Sequence, residues 1–251
     1  MIAQSRETAS RQVAVTYKLA ERPAELRSAL HLVYRNYLRA GLIRPNPHRL
    51  RVTPWHLLPT TEVFVGVDGD DAVCTASLVT DGELGIPMES IFPEEIEARR
   101  LTGLRFAEVS CLADRRGRTQ HCFPILKRLF ELVAQSSRRR GIDLLLIAVH
   151  PHHSRFYERF LGFEPIGATK NYDAVCDHPA VPLELDFLRL PIHHPRAYRT
   201  LFENSFPDEI LDHKSRNSPL PAAIASAVRF YGPPVSREAC FVPDAGQAMC
   251  A

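Results

Sequence analysis

The chain has 251 residues, of which 45% are hydrophobic and 24% are charged, as in an ordinary globular protein. Its 31 basic and 29 acidic residues give a net charge of +2, so we expect no nucleic-acid partner recruited by a global basic field. No run approaches the ~20 apolar residues of a membrane-spanning helix, and no signal peptide is evident. These features predict a cytoplasmic protein, and its six cysteines, which lack zinc-like spacing, are expected to be reduced.

The first 40 residues are predicted to hold a tail, a strand and a helix. Residues 1–12 are polar and charged and are expected to form a flexible tail. Residues 13–19 alternate apolar and polar side chains with the period of two that is typical of a strand. From residue 23 to 40, apolar residues recur every three or four positions, and Gly41 stands where a helix would end. This last segment is predicted to be an amphipathic helix.

Six arginines lie on the polar face of this helix and in the proline-containing loop after it: Arg27, Arg35, Arg39, Arg44, Arg49 and Arg51. One interpretation is a cationic face that water solvates. The other is a docking site for an acidic carrier or for a carboxylate. The pattern leaves both open.

A hairpin is predicted next. Residues 62–67 and 72–80 are two apolar runs joined by a turn that contains Asp68-Gly69, and this dipeptide between apolar runs is a strong hairpin signal. Pro93 then opens a short helix, with two glutamates in its first turn.

Residues 105–113 are predicted to form a strand with an unusual polar position. The alternation of a strand places four side chains on one face: Phe106, Glu108, Ser110 and Leu112. A carboxylate therefore lies in the middle of a strand among apolar neighbours.

The remaining elements complete a mixed sheet. A helix is predicted over residues 120–140, and residues 142–149 form an apolar run without alternation, expected at the centre of a sheet that is covered on both faces. A short helix, an extended piece and a strand follow at residues 154–161, 163–169 and 181–188. This order predicts an α/β fold, a mixed sheet with helices on both faces. Residues 189–251 contain scattered prolines and are predicted to be a helical or irregular C-terminal appendage.

One run of sequence resembles a known family. The stretch FYERFLGFEPIG at residues 156–167 follows the apolar strand closely, and it is similar to the Phe-Tyr and Gly-Phe signature of GNAT enzymes. Together with FVGVDGDDAVCTASLV, GELGIPMESIF, AEVSCLA and HPAVPLELD, it resembles the long-chain N-acyl amino acid synthases, which are GNAT-like and related in fold to acyl-homoserine-lactone synthases. The resemblance covers residues 13–187 and implies a GNAT-like acyltransferase domain over residues 13–188.

The resemblance also implies a reaction. A long-chain acyl group would pass from a thioester to the amino group of an amino acid by direct attack, without a covalent enzyme intermediate. Glu108 would accept the ammonium proton, Tyr157 would protonate the departing thiolate, and Ser110 would hydrogen-bond substrate or a water molecule. Backbone N–H groups of residues 110–112 would hold the thioester oxygen where two central strands splay apart.

Further residues are assigned to substrate and donor. Substrate-binding roles are expected for Arg35, Phe106, Cys111, Leu112, Phe156 and His150. An apolar tunnel for the acyl chain would be lined by Leu84, Ile86, Met88, Phe92 and Phe106.

The donor is predicted from the loop after the Glu108 strand. Enzymes that use coenzyme A usually carry a glycine-rich turn there, whose N–H groups hold the pyrophosphate. Residues 113–120 contain one glycine and three arginines instead. Arg115, Arg116 and Arg118 are therefore expected to bind the phosphate and the acidic surface of an acyl carrier protein. No tightly bound cofactor is expected, and the co-substrate is acyl carrier protein thioester or acyl coenzyme A.

Each role has a structural alternative. Glu108 would then be a buried carboxylate paired with an arginine such as Arg35, Tyr157 a packing aromatic, and the tunnel residues ordinary core. No metal site is predicted at His150, His152 and His153, because adjacent histidines cannot all face one ion.

Two other functions stay open. One is an N-acetyltransferase that uses acetyl coenzyme A, and the other is a non-catalytic module that binds acyl thioesters. A hydrolase built on Cys111 or Cys122 is disfavoured, because the sequence has no recognisable nucleophile motif.

Overall fold

The computed structural model describes residues 15–115, 122–213 and 220–232. The predicted tail at residues 1–12 lies outside the described residues, as do Arg116 and Arg118 of the predicted carrier-binding loop.

Eight strands of the described residues form a mixed sheet: β1 (Thr16–Leu19), β2 (Thr61–Asp68), β3 (Asp71–Thr80), β4 (Phe106–Asp114), β5 (Leu144–Val149), β6 (Glu164–Pro165), β7 (Lys170–Tyr172) and β8 (His178–Asp186). Their order is β1-β2-β3-β4-β5-β8-β6, and β7 pairs with β8. The neighbouring strands are antiparallel except for β4 and β5, which are parallel. The predicted hairpin is thus β2 and β3.

The described helices are α1 (Pro23–Arg39), α2 (Pro93–Arg100), α3 (Cys122–Arg139), α4 (Pro151–Phe156), α5 (Leu190–His193), α6 (Pro195–Phe202), α7 (Asp208–Leu211) and α8 (Ala222–Ala225). A π-helical turn, Tyr157–Leu161, continues α4. Phe64 of β2 packs in the same core as α3, whereas its neighbours Val63 and Val65 pack with α1. Because successive strand residues point to opposite faces, α1 and α3 cover opposite faces of the sheet, as predicted.

The predicted position of the apolar strand needs a correction. β5 lies inside the sheet between β4 and β8, and its residues are buried against cores on both faces, but β4 holds the middle of the strand order. The last strand begins at His178, earlier than predicted, and β7 was not predicted. Pro179 and Pro182 within β8 obscured the strand pattern, since proline usually argues against a strand interior.

The segment after residue 188 packs on the core formed by the sheet and α3. Leu190, Ala197 and Leu201 are buried in the same apolar cluster as α3. The side-chain amide of Gln135 in α3 donates to the carbonyl of Leu201 at 2.7 Å and accepts from the amide of Phe206 at 2.8 Å. Helix α3 is therefore covered by sheet on one side and by the C-terminal segment on the other.

This packing predicts that the C-terminal segment carries folding free energy. Leu201 is 1% exposed, so Leu201→Ala should lower the free energy of unfolding by about 2–5 kcal/mol, as expected for a buried leucine. Ile192 is 75% exposed, and Ile192→Ala is the control, with an expected change within about 0.5 kcal/mol. Urea unfolding of the two variants measures the difference, and equal stability of the two would contradict the assignment of this segment to the core.

Candidate active site

Strands β4 and β5 pair over part of their length and then diverge. Their register ends at Glu108 and Leu146, although β4 runs on to Asp114 and β5 to Val149. Beyond that point β4 stays paired with β3, and β5 stays paired with β8. A wedge therefore opens between two neighbouring strands in the middle of the sheet.

A bulge in β4 marks the same place. Ser110 faces Ser77 of β3, but Ala113 faces Thr75, so two residues of β4 stand opposite one residue of β3. Cys111 absorbs the extra residue with a φ of 53°, a left-handed conformation that non-glycine residues seldom adopt. Bulges bend a strand and re-aim its side chains, and here the bend turns Cys111 and Leu112 toward the wedge.

The wedge contains a cavity of about 90 Å³, room for several water molecules or a small ligand group. Tyr37 of α1 lines it from one face of the sheet and Phe130 of α3 from the other. The lining also includes Arg51, residues 108–112 of β4, residues 147–150 at the end of β5, Tyr157, Tyr172, His178 and Tyr231. The cavity thus joins residues from widely separated parts of the sequence.

Glu108 is the carboxylate of this cavity. Its side chain is buried, and one oxygen accepts the backbone N–H of Met88 at 2.7 Å. Burial raises the pKa of Glu108 to about 8, against the opposing effect of the Met88 hydrogen bond. Within the described ranges no cation lies within ion-pair distance of Glu108, and Arg35, its predicted partner, is exposed on α1 and does not line the cavity.

A buried polar chain lies behind Ser110 and Cys111. The backbone N–H of Thr53 donates to Nδ1 of His56 at 3.0 Å, and Nε2 of His56 lies 3.0 Å from the Ser77 hydroxyl. Because Nδ1 is an acceptor, Nε2 carries the proton and donates to Ser77. Burial lowers the pKa of His56 to about 4, so this imidazole is neutral at physiological pH.

Cys111 is a neutral thiol in this setting. Burial raises its pKa, opposing hydrogen bonds from Ser110 and Ser77 and the charge of Arg51. A raised pKa disfavours the thiolate that nucleophilic catalysis needs. Cys111 therefore lacks the activation expected of a nucleophilic cysteine.

Tyr157 is the first residue of the π-helical turn and lines the cavity. Its ring packs edge-on against Phe130 at 5.9 Å and Phe163 at 6.0 Å between ring centroids. Tyr157 therefore both packs in the core and lines the cavity, because the apolar contacts fix its ring in place.

The other predicted site residues divide into two groups. His150 lines the cavity at the start of α4, where its Nδ1 accepts the His152 N–H at 3.2 Å, and burial lowers its pKa. Phe156 is half-buried and packs edge-on against Tyr157 at 5.4 Å, outside the cavity lining. Arg115 is partly exposed and pairs with Asp71 at 3.2 Å.

The residues predicted to form an acyl tunnel do not line this cavity. Ile86, Met88, Phe92 and Phe106 are buried in an apolar cluster, and Leu84 is 51% exposed. The four buried residues behave as ordinary core, which is the alternative interpretation of that pattern.

Most residues that line the cavity were not predicted from sequence as site residues, and three of them form one group. Arg51 is buried, and Tyr37 and Tyr231 flank its guanidinium with ring centroids at 5.9 and 4.5 Å. Arg51 belonged to the cationic set noted in the sequence, but nothing in that pattern separates a buried arginine from an exposed one.

Two further properties concern the described part of the chain. It contains no group of three or more His, Cys, Asp or Glu side chains placed to hold a metal ion. None of its helices is long and apolar enough to cross a membrane.

A family model described as "N-acyl amino acid synthase FeeM" matches residues 28–186. The solved structure of FeeM, an N-acyl amino acid synthase from uncultured soil microbes, is similar with 28% identity and a TM-score of 0.64, covering 74% of this chain and 97% of that chain.

Two synthases of acyl-homoserine lactones share the fold. LasI is 12% identical with a TM-score of 0.55, covering 78% of this chain and 97% of its own. BjaI, a coenzyme A-dependent synthase, is 14% identical with a TM-score of 0.55, covering 85% and 99%. No curated protein sequence matches the chain significantly. The predicted α/β fold with a mixed sheet and the predicted family of N-acyl amino acid synthases are confirmed.

The raised pKa of Glu108 predicts a pH-dependent stability. Between about pH 4.5 and pH 8 the unfolded chain has released a proton that the folded chain retains, so the free energy of unfolding should fall as pH rises through this window. Glu108→Gln removes this component and should be more stable than the parent at pH 8, by at least about 1 kcal/mol, since one pKa unit is worth about 1.4 kcal/mol.

The control is a buried carboxylate that does have a cation. Glu62 pairs with Arg140 at 2.5 Å, so Glu62→Gln should destabilise the protein. Denaturant unfolding between pH 5 and pH 8 measures both variants. An unchanged pH slope in Glu108→Gln would show that Glu108 has an ordinary pKa.

Proposed function

The chain belongs to the FeeM family of N-acyl amino acid synthases and is an N-acyltransferase, and we propose that it transfers a long-chain acyl group from an acyl carrier protein thioester to the amino group of an amino acid. The observation that carries this proposal is Glu108, a buried carboxylate without a cation partner among the described residues, at the mouth of the wedge between β4 and β5. A cytoplasmic location follows from the proposed donor.

Glu108 supplies the base. An amino acid carries a protonated amine near neutral pH, and only the neutral amine has a lone pair for attack. The ionised fraction of a carboxyl group with a pKa of about 8 can accept that proton directly or through a water molecule, because its pKa lies close to that of the amine. The opposing hydrogen bond from Met88 holds the carboxylate in position.

The remaining atoms of the reaction meet groups of the same cavity. The neutral amine attacks the thioester carbonyl carbon, and the carbonyl oxygen gains negative charge that backbone N–H groups of residues 110–112 stabilise. Collapse of the tetrahedral intermediate breaks the carbon–sulfur bond, and the Tyr157 hydroxyl protonates the departing thiolate. The attacking nitrogen loses its second proton as the amide forms, and this proton restores the Tyr157 hydroxyl. Ser110 orients substrate or the bridging water, beside the neutral thiol of Cys111.

The donor assignment rests on sequence and charge. The loop after β4 has a single glycine, which gives little backbone for wrapping a pyrophosphate. Arg115, Arg116 and Arg118 suit the single phosphate and the acidic surface of a carrier protein.

The reaction predicts a product. Cells that express the chain should contain fatty acids amide-linked to an amino acid, and Glu108→Gln should lower this product at least about 100-fold, the usual contribution of general base catalysis. Mass spectrometry of lipid extracts, with an empty-vector control, measures the product. An extract equal to the control would remove the main support for the synthase.

The same variant separates the alternatives in a purified system. Acyl carrier protein thioesters and acyl coenzyme A of equal chain length, including acetyl coenzyme A, are offered with an amino-acid mixture. Turnover with acetyl coenzyme A alone would favour an ordinary N-acetyltransferase. Thioester binding without turnover, unchanged in Glu108→Gln, would indicate a non-catalytic binding module.

Tyr157→Phe tests the proton donor. The aromatic contacts with Phe130 and Phe163 are kept, so folding should be unchanged, and kcat should fall by about 100-fold because one proton transfer in the transition state is lost. A thioester whose leaving thiol has a lower pKa needs less protonation as it departs. Such a donor should therefore restore much of the rate that Tyr157→Phe loses. An aryl thioester against an alkyl thioester makes this comparison, and an equal loss with both would assign Tyr157 a packing role only.

A further inference from the structure

The cavity holds a buried arginine whose charge nothing in the described chain neutralises. Arg51 is 6% exposed. Its Nη2 donates to the carbonyl of Ala174 at 2.9 Å, while its Nε is buried without a hydrogen-bond partner. Within the described residues no carboxylate lies within ion-pair distance of it. Burying a cation in this way is costly unless an anion completes its hydrogen bonds.

The surrounding residues fix the orientation of the Arg51 guanidinium. Tyr231 and Tyr37 flank its guanidinium at 4.5 and 5.9 Å from the ring centroids, and its backbone N–H donates to the carbonyl of Leu30 at 3.1 Å. An arginine that is oriented before its ligand binds loses little conformational entropy on binding. The paired N–H donors of its planar guanidinium match the two oxygens of a carboxylate.

Arg51 and Glu108 supply the guanidinium end and the carboxyl end of one cavity. Both line it, and both act electrostatically on Tyr37 and on Tyr231, yet they form no ion pair with each other. A zwitterion fits between them, with its ammonium group at the carboxylate and its own carboxylate at the guanidinium.

We propose that Arg51 binds the α-carboxylate of the acceptor amino acid and so selects amino acids over simple amines. This rests on the proposed function, since it names the acceptor end of that same site. The carboxylate would accept the Nε proton that has no partner in the described structure, in a charge-assisted hydrogen bond. The amine on the neighbouring carbon is thereby directed toward Glu108.

The test compares an amino acid with its carboxamide, which keeps the size but loses the negative charge. For the parent enzyme we expect kcat/KM for the amino acid to exceed that for the amide by about 100-fold, as when a buried polar partner is left unpaired. Arg51→Met should lower kcat/KM for the amino acid by about 100-fold, chiefly through KM, and change the amide by less than about threefold. Because each acceptor is compared between parent and variant, differences in amine basicity cancel.

Matched variants control for charge and folding. Arg196 is exposed on α6 and lies outside the cavity lining, and Arg196→Met should leave both acceptors unchanged. Arg51→Lys keeps the positive charge but not the paired N–H donors of the guanidinium. Its kcat/KM for the amino acid should therefore lie between those of Arg51→Met and the parent. Thermal unfolding checks that Arg51→Met is folded, and an equal loss for both acceptors in a folded variant would overturn the proposal.

A binding measurement separates this inference from the proposed function. Isothermal titration of an N-acyl amino acid against its N-acyl amide needs no turnover, and the parent should bind the acid at least about tenfold more tightly, with the preference lost in Arg51→Met. If the parent binds with this preference but acylates no amine, the synthase fails and the carboxylate site stands. If it shows no preference, the carboxylate site is wrong whatever the turnover.

Discussion

The divergence of β4 from β5 is the constraint on which the rest of the site depends. Parallel pairing stops at Glu108 and Leu146, because beyond that point each strand follows its other neighbour. The bulge at Cys111 makes this geometry possible, since it bends β4 while keeping its ladder with β3. A sheet that stayed paired would have no cavity at its centre and would leave Glu108 no access to a substrate.

Burying Glu108 in that wedge opposes stability, and the surrounding fold offsets the cost. The carboxyl group has one backbone donor and a raised pKa, so it is held mostly neutral below its pKa. An arginine beside it would have lowered the pKa and stabilised the fold, but it would also have made the carboxylate a weaker base. The proposed role of Glu108 thus depends on its separation from Arg51, although both line the same cavity.

The sequence predicted the regular parts of this structure and missed what depends on long-range contacts. Alternation along residues 105–113 placed Glu108 and Ser110 on one face, and both line the cavity. The same alternation cannot foresee the bulge, which brings Cys111 to the cavity although a regular strand would point it away from Ser110. The prolines of β8 hid the start of that strand and its pairing with β7.

The arginines are a second case in which the sequence pattern could not show which side chain is buried. Arg35 and Arg51 belong to one cationic set in the sequence, yet Arg35 is exposed and Arg51 is buried in the cavity. Residues far apart in the chain surround the Arg51 guanidinium: the ring of Tyr231 packs over it, and its Nη2 donates to the carbonyl of Ala174. No local sequence pattern shows which arginine such distant residues will cover. A docking site for a carboxylate was therefore only one of the two interpretations of this arginine set.

The C-terminal segment therefore links folding to chemistry. Leu50 and Val52, on either side of Arg51, are buried against Ile224 and Ala227, so the backbone of the arginine is held from one side. Successive residues of an extended segment point in opposite directions, and Arg51 is accordingly turned toward the cavity. Tyr231, which follows the same segment, packs over its guanidinium. The C-terminal segment, predicted from sequence to be an appendage, thus helps to fix the position and the direction of the buried arginine of the described cavity. A change in the packing of this segment is therefore expected to displace Arg51.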